Sequence, residues 1–597
     1  MPVSPEASAD GVVRLSVTSE GTLLAETVQI VSVHVHRAAN AIPWARLVVA
    51  DGDISTREFA ISDSANFKPG AAIKISAGYG DSEEALFEGI VVKHGLRITG
   101  SNEARLVVEC RDKAAAMCVG RKNANYVDKK DSDIISTLIG AQSGLTADVE
   151  ATTLQHGELV QYYCTDWDFM LARAEASGLL VIVTDGTVAV KSPQVSATPA
   201  LKVGYGVDLV EFNAEIDART QLAAAQAVGW DPKAQAVVLG TAAKPQTLNA
   251  QGDLDGATLA KVLGLASFNL QTATPYPQAG LTQWAKSQQI KSGLARVCGR
   301  MKFQGSALAK VGELIEVDGV GAHFNGKVFV SAVDHEIVDG NWLTTVEFGL
   351  SPAWFTERPD VVAPTASGLL PGTQGLQVGV VKKLDADPAG ENRIQVSVPV
   401  MQAATDGVWA RLANFYSSNA FGAFFLPEVG DEVVLGFFND DPSHPVILGS
   451  VYSSKQVPPY ALAAANNTKA LMTRCKSKIE FDDDKKVITI TTPGKNNIVF
   501  SDTDKSIVVT DQNSNKIELA AGGITLDSPK DIKITAKGGI TLDAVGAVSI
   551  SSKADVKTAG LNINSEAQVG FVAKGTANAE LSAAGQTVVK GAMVMIN

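Results

Sequence analysis

Two histidines at alternate positions, His34 and His36, lie on one face of a strictly alternating stretch, Val31-Ser-Val-His-Val-His36. Imidazoles so placed suit a divalent transition metal, provided a cysteine or carboxylate joins them. Neither residue type lies close by in sequence, so the pair reads as surface or packing residues. Asp166 and Asp168 have the spacing of paired acid–base carboxylates. Thr165-Asp-Trp-Asp168 is equally a helix capping box, with a hydroxyl for the first free N–H groups and an acid three residues on, and the cap accounts for both acids. Asp482-Asp-Asp484 hints at calcium, yet Lys485-Lys486 follows at once, and solvated turn charge is the simpler account. His94 and His335 fall at matching places in two similar segments, which favours a structural role. The chain has no P-loop, HExxH, GxSxG or CxxC. No catalytic residue, cofactor or metal site is expected, and the chain reads as a non-enzyme.

A chain of 597 residues should hold three or four domains. Its 45% hydrophobic and 19% charged residues make a globular balance, and 53 glycines beside few aromatics favour many tight turns, hence β structure. A net charge of −13 argues against a nucleic-acid partner, which would need a basic patch. Five cysteines, odd in number and unpaired in spacing, read as reduced, packed thiols in a chain folded in the cytoplasm. The first ten residues lack the basic and apolar stretches of a signal peptide, and no apolar run is long enough to span a membrane.

The most ordered pattern lies toward the C-terminus. From Ile524 an apolar residue returns every eighth position, at Ile532, Ile540, Val548 and Val556, each opening an apolar–polar–apolar triplet. Upstream, the triplets Ile479-Glu-Phe481, Ile488-Thr-Ile490, Ile498-Val-Phe500, Ile507-Val-Val509 and Ile517-Glu-Leu519 recur at wider spacing. Such repeats make an array, not a globule. One chain turning every eight residues offers too few inward side chains to close a dry core. Several chains wound together pool them, and three make a prism with every edge strand covered.

The elements that would carry this needle precede it. Residues 1–120 read as a first hub β-barrel, 121–300 as an α/β insert, and 301–358 as a second hub β-barrel completed by earlier strands. The second barrel echoes the first. Val311-Gly312-x-x-Ile315-x-Val317 follows Pro69-Gly70-x-x-Ile73-x-Ile75, and Phe324-x-Gly326-x-Val328 follows Phe87-x-Gly89-x-Val91. Val346-Glu-Phe348 likewise matches Val108-Glu-Cys110. Within the insert, helices are expected over Asp131–Ala141, from the Thr165 cap to Gly178, over Gly256–Leu265 and over Leu281–Gly299. Residues 359–375, rich in Pro, Gly, Ser and Thr, form a linker. Residues 376–454 carry five short strands, the content of an OB-fold barrel. A connector, 455–478, leads to a β-helical needle, 479–597. The fold class is mainly β and multidomain: two related β-barrels with an α/β insert, an OB-fold barrel, and a C-terminal intertwined trimeric β-helix or β-prism needle.

This order of parts resembles the VgrG-like spike proteins of contractile injection systems, of extracellular phage-tail-like or type VI kind. These are related to the fused hub and cell-puncturing spike of phage tails. The resemblance covers most of the chain. It is most specific in Gly379-Val-Val, Trp409-Ala-Arg, Phe425-Leu-Pro-Glu-Val-Gly-Asp-Glu-Val-Val434 and Asp440-Asp-Pro-Ser-His-Pro-Val-Ile-Leu-Gly449, with Thr165-Asp-Trp-Asp-Phe-Met-Leu-Ala-Arg-Ala-Glu and Gly321-Ala-His-Phe-Asn-Gly326 in support. It implies a homotrimer whose six similar barrels join a sixfold inner tube and baseplate to a threefold needle. It also implies effector cargo, transient contact with the target envelope and a PAAR-type tip protein, for which the apolar residues Met593, Val594, Met595 and Ile596, with Asn597, are the expected docking site. No histidine follows His444, so an HxH iron tip is not expected from this chain. The particle is expected to assemble in the cytoplasm and to pass through the target envelope on contraction. A trimeric receptor-binding fibre or adhesin with a β-helical shaft is the alternative.

Overall fold

The computed structural model describes residues 2–596 except Ser8, Asn102 and Thr247. The protein is mainly β, with 38% of residues in strands against 12% in helices. It divides into two units, Met1–Val451 and Tyr452–Asn597. No helix among the described residues is long and apolar enough to cross a membrane.

The first unit is built on a thirteen-stranded sheet. Its first half contains β1 (Val13–Ser19), β2 (Ile30–Ala38), β3 (Trp44–Ala50), β4 (Ala72–Tyr79), β5 (Ser82–Ile98) and β6 (Ala104–Arg111). These lie side by side in the order β2-β3-β6-β5-β4-β1. The second half contains β7 (Leu201–Gly204), β8 (Leu209–Ile216), β9 (Val297–Gln304), β10 (Leu314–Asp318), β11 (Gly326–Val338) and β12 (Asn341–Phe348). Their order, β8-β9-β12-β11-β10-β7, repeats the first strand for strand. One pairing differs: β1 meets β4 antiparallel, whereas β7 meets β10 parallel. The two hub barrels expected from the sequence are thus two arcs of one sheet, joined where β11 pairs with β2.

Alternation explains the burial. Along β3, Ala45, Leu47 and Val49 point inward and are fully buried, while their neighbours face out. Each arc has its own core, one around Leu47, Ile75, Phe87 and Val108, the other around Met301, Phe303, Val330 and Phe348.

The ladders correct part of the sequence alignment of the two halves. Ile73 and Ile75 do correspond to Ile315 and Val317, and Val108-Glu-Cys110 to Val346-Glu-Phe348. The long strands β5 and β11 are offset by two residues from the expected match. Val91 faces Cys110 and Val330 faces Phe348, each just before a bulge. After the bulge His94 faces Val108, and Val333 faces Val346. His94 therefore corresponds to Val333, not His335. The offset is the same before and after the bulge, so cross-strand pairing, not the local motif, sets the correspondence.

Strands β7 and β8 lie inside the stretch 121–300 expected as an insert. Around them sit α1 (Asp131–Gly140), α2 (Asp166–Ala176), α3 (Gly256–Leu263) and α4 (Gln278–Leu294). Thr165 caps α2, its hydroxyl accepting from Asp168 N at 3.0 Å. The helix expected over Leu281–Gly299 begins earlier and stops at Leu294, and Val297–Gly299 belongs to β9 instead. Gly299 is required there, because a Cβ would sit 2.3 Å from the Asn213 carbonyl oxygen across the ladder.

Beyond the hub, β13 (Gln377–Lys383), β14 (Ile394–Ser397), β15 (Val408–Leu412), β16 (Glu432–Phe437) and β17 (Pro445–Ser450) close a five-stranded barrel around Val381, Val396, Ala410, Leu435 and Ile447.

The second unit carries an antiparallel meander of seven strands. These are β18 (Thr468–Met472), β19 (Lys478–Asp482), β20 (Val487–Thr491), β21 (Asn497–Ser501), β22 (Ser506–Thr510), β23 (Lys516–Ala520) and β24 (Gly523–Asp527). The wide upstream repeat becomes this meander, one strand earlier than expected. After Asp527 no strand is formed among the described residues, so the triplets expected at Ile532, Ile540 and Val548 are unpaired in the single chain. A repeat of nine or ten residues leaves five for each strand. Eight leaves three, too few to hold an antiparallel hairpin alone.

Candidate functional site

Two places could do work. The first is the seam where the hub halves meet. His34 and His36 on β2 and Asp334 on β11 face the same side of the sheet. Asp334 Oδ1 accepts from His34 Nε2 at 3.1 Å and from His36 Nδ1 at 2.8 Å. Trp44 stacks on His36, 5.4 Å between ring centroids, and meets His34 edge-on. The hydrogen bond to Asp334 raises the pKa of His36 despite partial burial. Burial alone would raise Asp334, but the two imidazole donors overcome it and hold the carboxyl well below its usual range. One step along β11, His335 points to the opposite face, fully enclosed. Burial pushes its pKa down to about 3, and its Nδ1 lies 3.0 Å from the Thr344 hydroxyl.

The histidine pair therefore has an acidic partner after all, about 300 residues away, which no local spacing could reveal. Among the described residues no group of three or more His, Cys, Asp and Glu is arranged to hold a metal. The cluster is suited to joining two halves.

Asp166 and Asp168 are not brought together as an acid–base pair. Asp166 is buried and takes Lys122, Gln142 and Gln161 as partners. A second network that sequence reasoning missed lies in the insert. Asp131 at the start of α1 accepts from Arg173 of α2 at 2.7 and 3.0 Å, and from His156 and Ser177. Arg173, His156 and Ser177 satisfy a carboxylate that is almost wholly enclosed. The acidic run divides at its turn: Asp482 accepts from Lys485 N at 3.0 Å, and Asp483 pairs with Lys469. The five cysteines are unbridged. Burial pushes Cys110 up to about 12, whereas hydrogen bonds from Ser477 and Thr473 bring exposed Cys475 down to about 7.

The second place is the meander. Its cross-strand pairs put like with like: Ile479 faces Ile490, Ile488 faces Phe500, Phe500 faces Ile507, Ile507 faces Leu519 and Leu519 faces Ile524. These residues form an apolar ladder on one face of a single sheet. Among the described residues, none of the buried hydrophobic ones belongs to the second unit; Phe481, Phe500 and Ile517 stay 40%, 41% and 44% exposed. Met593, Val594, Met595 and Ile596 are exposed and in no strand, and Asn597 lies outside the described residues.

Residues 9–339, more than half of the chain, match the family model described as the Alg8 N-terminal domain. The chain belongs to this family. Residues 377–452, the closed five-stranded barrel, match the type VI secretion system/phage-baseplate injector OB domain. Among curated proteins, the type VI secretion system spike protein VgrG3 of Vibrio cholerae is 35% identical over 80 residues, 13% of this chain and 8% of that protein. VgrG1a of Pseudomonas aeruginosa is 36% identical over 70 residues, 12% of this chain and 11% of that protein. The chain thus spans about a tenth of the length of these curated relatives, and it is VgrG-like over that stretch. Among solved structures, a 43 kDa prophage tail protein from Shewanella oneidensis aligns with TM-score 0.43 and 11% identity, over 57% of this chain and 98% of its own. The E. coli c3393 protein, a component of the type VI secretion system, aligns with TM-score 0.38 and 12% identity, over 73% and 99%.

Proposed function

We propose that this protein is the trimeric central spike and hub of a contractile injection apparatus, and that it works mechanically, without enzymatic activity. One observation carries the reading. An injector OB barrel is followed by a seven-stranded sheet whose apolar ladder, from Ile479 and Phe481 through Phe500 to Leu519 and Ile524, stays exposed. Burying such a ladder is worth about 25 cal/mol per Å² of apolar surface, so it drives association. Three copies turn three such faces inward and make a shaft with no bare face. The three-residue triplets after Asp527 then find strand partners on neighbouring chains. The duplicated strand order of the hub supports the adaptor role: two similar arcs per chain give six around a threefold axis, matching a sixfold inner tube and baseplate.

The particle assembles in the bacterial cytoplasm, and contraction drives the spike, with any effector cargo, through the target envelope. Met593–Ile596 dock a PAAR-type tip protein. Native mass spectrometry and electron microscopy of the purified chain test the reading. A threefold mass and a threefold bulb bearing a needle are expected, and a single-chain mass would sink it.

A further inference from the structure

The repeated strand order leaves one position in the hub unfilled. In the second half, β11 pairs with β10 along its first part; beyond it, on the same side, β11 pairs with β2 of the first half. In the first half the equivalent strand, β5, pairs with β4 through Ile90, and among the described residues no strand follows on that side. Its last residues, Lys93–Ile98, keep only β6 as a strand partner, while the His94 ring meets the Ser62 hydroxyl at 2.8 Å and the Phe67 carbonyl at 2.9 Å. The equivalent of β2 in the second half is β8, which pairs with β9 and ends the sheet with an open edge. Each chain therefore shows both sides of a seam that it makes once internally.

We propose that Lys93–Ile98 of β5 pairs antiparallel with β8 of a neighbouring copy, in the register that β11 and β2 use within one chain. The inference rests on the trimeric reading and adds the surface that closes the ring. The internal ladders specify the register. His335 faces Val35 and Glu336 faces His34. Carrying each strand onto its counterpart places Leu96 opposite Ala214, Arg97 opposite Asn213, and Ile98 opposite Phe212.

The chemistry of the two edges agrees with that placement. On the inner side Leu96 and Ile98, 46% and 63% exposed in the single chain, meet Phe212 and Ala214. On the outer side Arg97 falls between Glu211 and Glu215, and Lys93 comes opposite Asp217. A shift of one residue would set the apolar side chains against the charged ones. The intermolecular seam replaces the histidine–aspartate cluster of the internal one with arginine between glutamates, so the two kinds of seam differ in polarity while sharing geometry.

The test is the full-length Arg97→Cys/Asn213→Cys double variant, oxidised and run without reductant, beside its native mass. Covalent species of three chains are expected, because each copy is bridged to two others. A threefold native mass with unlinked chains would overturn the seam and leave the trimer standing. Bridges stopping at two chains, or closing within one chain, would overturn it too, and a single-chain native mass would overturn both readings. A second measurement needs no variant: hydrogen exchange on the wild-type assembly. The outward amides of Lys93–Ile98 and Leu209–Ile216 should exchange as slowly as those of the β2–β11 seam, and fast exchange there refutes the pairing.

Discussion

His36 and Asp334 belong to different halves of the hub, and a 2.8 Å hydrogen bond between them bridges the ladder that holds the halves together. One residue further along the same strand, His335 is buried on the opposite face and lacks a carboxylate hydrogen-bond partner. The two histidines respond to pH in opposite directions.

The raised pKa of His36 means that its contribution is fully present below the unfolded value of about 6.5 and is lost as pH rises through the folded one. The lowered pKa of His335 means that its contribution is fully present above about 6.5 and is lost as pH falls toward about 3, at up to about 1.4 kcal/mol per unit. Hub stability should peak near pH 6.5. Urea midpoints measured across pH should fall on both sides for the wild type. His335→Gln should flatten the acid limb, and His36→Asn the alkaline one.

Arg173 neutralises Asp131 inside the insert. Arg173→Leu strands a carboxylate whose side chain is 1% exposed, and should cost about 3–5 kcal/mol in chemical unfolding. Arg173→Leu combined with Asp131→Leu should recover much of that loss, since both buried charges are then gone.

Gly299 lets β9 and β8 approach. Gly299→Ala pushes a methyl group toward the Asn213 carbonyl and should cost about 1–3 kcal/mol. Because β8 carries one side of the proposed intermolecular seam, the same change should lower trimer recovery in native mass spectra more than a β10 substitution of equal cost.

The apolar ladder of the meander should behave as an interface. Phe500→Lys combined with Ile507→Lys places two opposed charges of like sign on the apolar face of the meander. The expected outcome is loss of the needle in electron micrographs, with the OB barrel and hub still folded by circular dichroism. An intact needle would show that this face stays in water.

Periodicity carries far in this chain because it is local physics. Apolar–polar alternation announces the five OB strands within a residue or two and the triplets of the meander. The Thr165 cap announces α2. What periodicity cannot carry is pairing. β5 and β11 carry a bulge at the same place, yet the ladders align them two residues away from the sequence match on both sides of it, and so the similarity of His94 and His335 in sequence misleads by two residues. The acidic partner of His34 and His36 lies on a strand from the other half of the hub, and the partners of Asp131 come from two separate segments, α2 with its C-cap and the strand that carries His156. The end of α4 escapes the sequence because Val297 continues the helical spacing of Trp284, Ile290 and Leu294, although it already belongs to β9.

The sequence by itself determined the element types, the mainly β class, the OB barrel and the shortfall of inward side chains in the C-terminal repeat, since each follows from residue spacing along a few turns of chain. Only the tertiary structure decided that the hub halves share one sheet, which carboxylate meets His34 and His36, and which two edges stay open. Those depend on register between strands far apart in the chain, set by bulges and packing, and a linear pattern carries no trace of them.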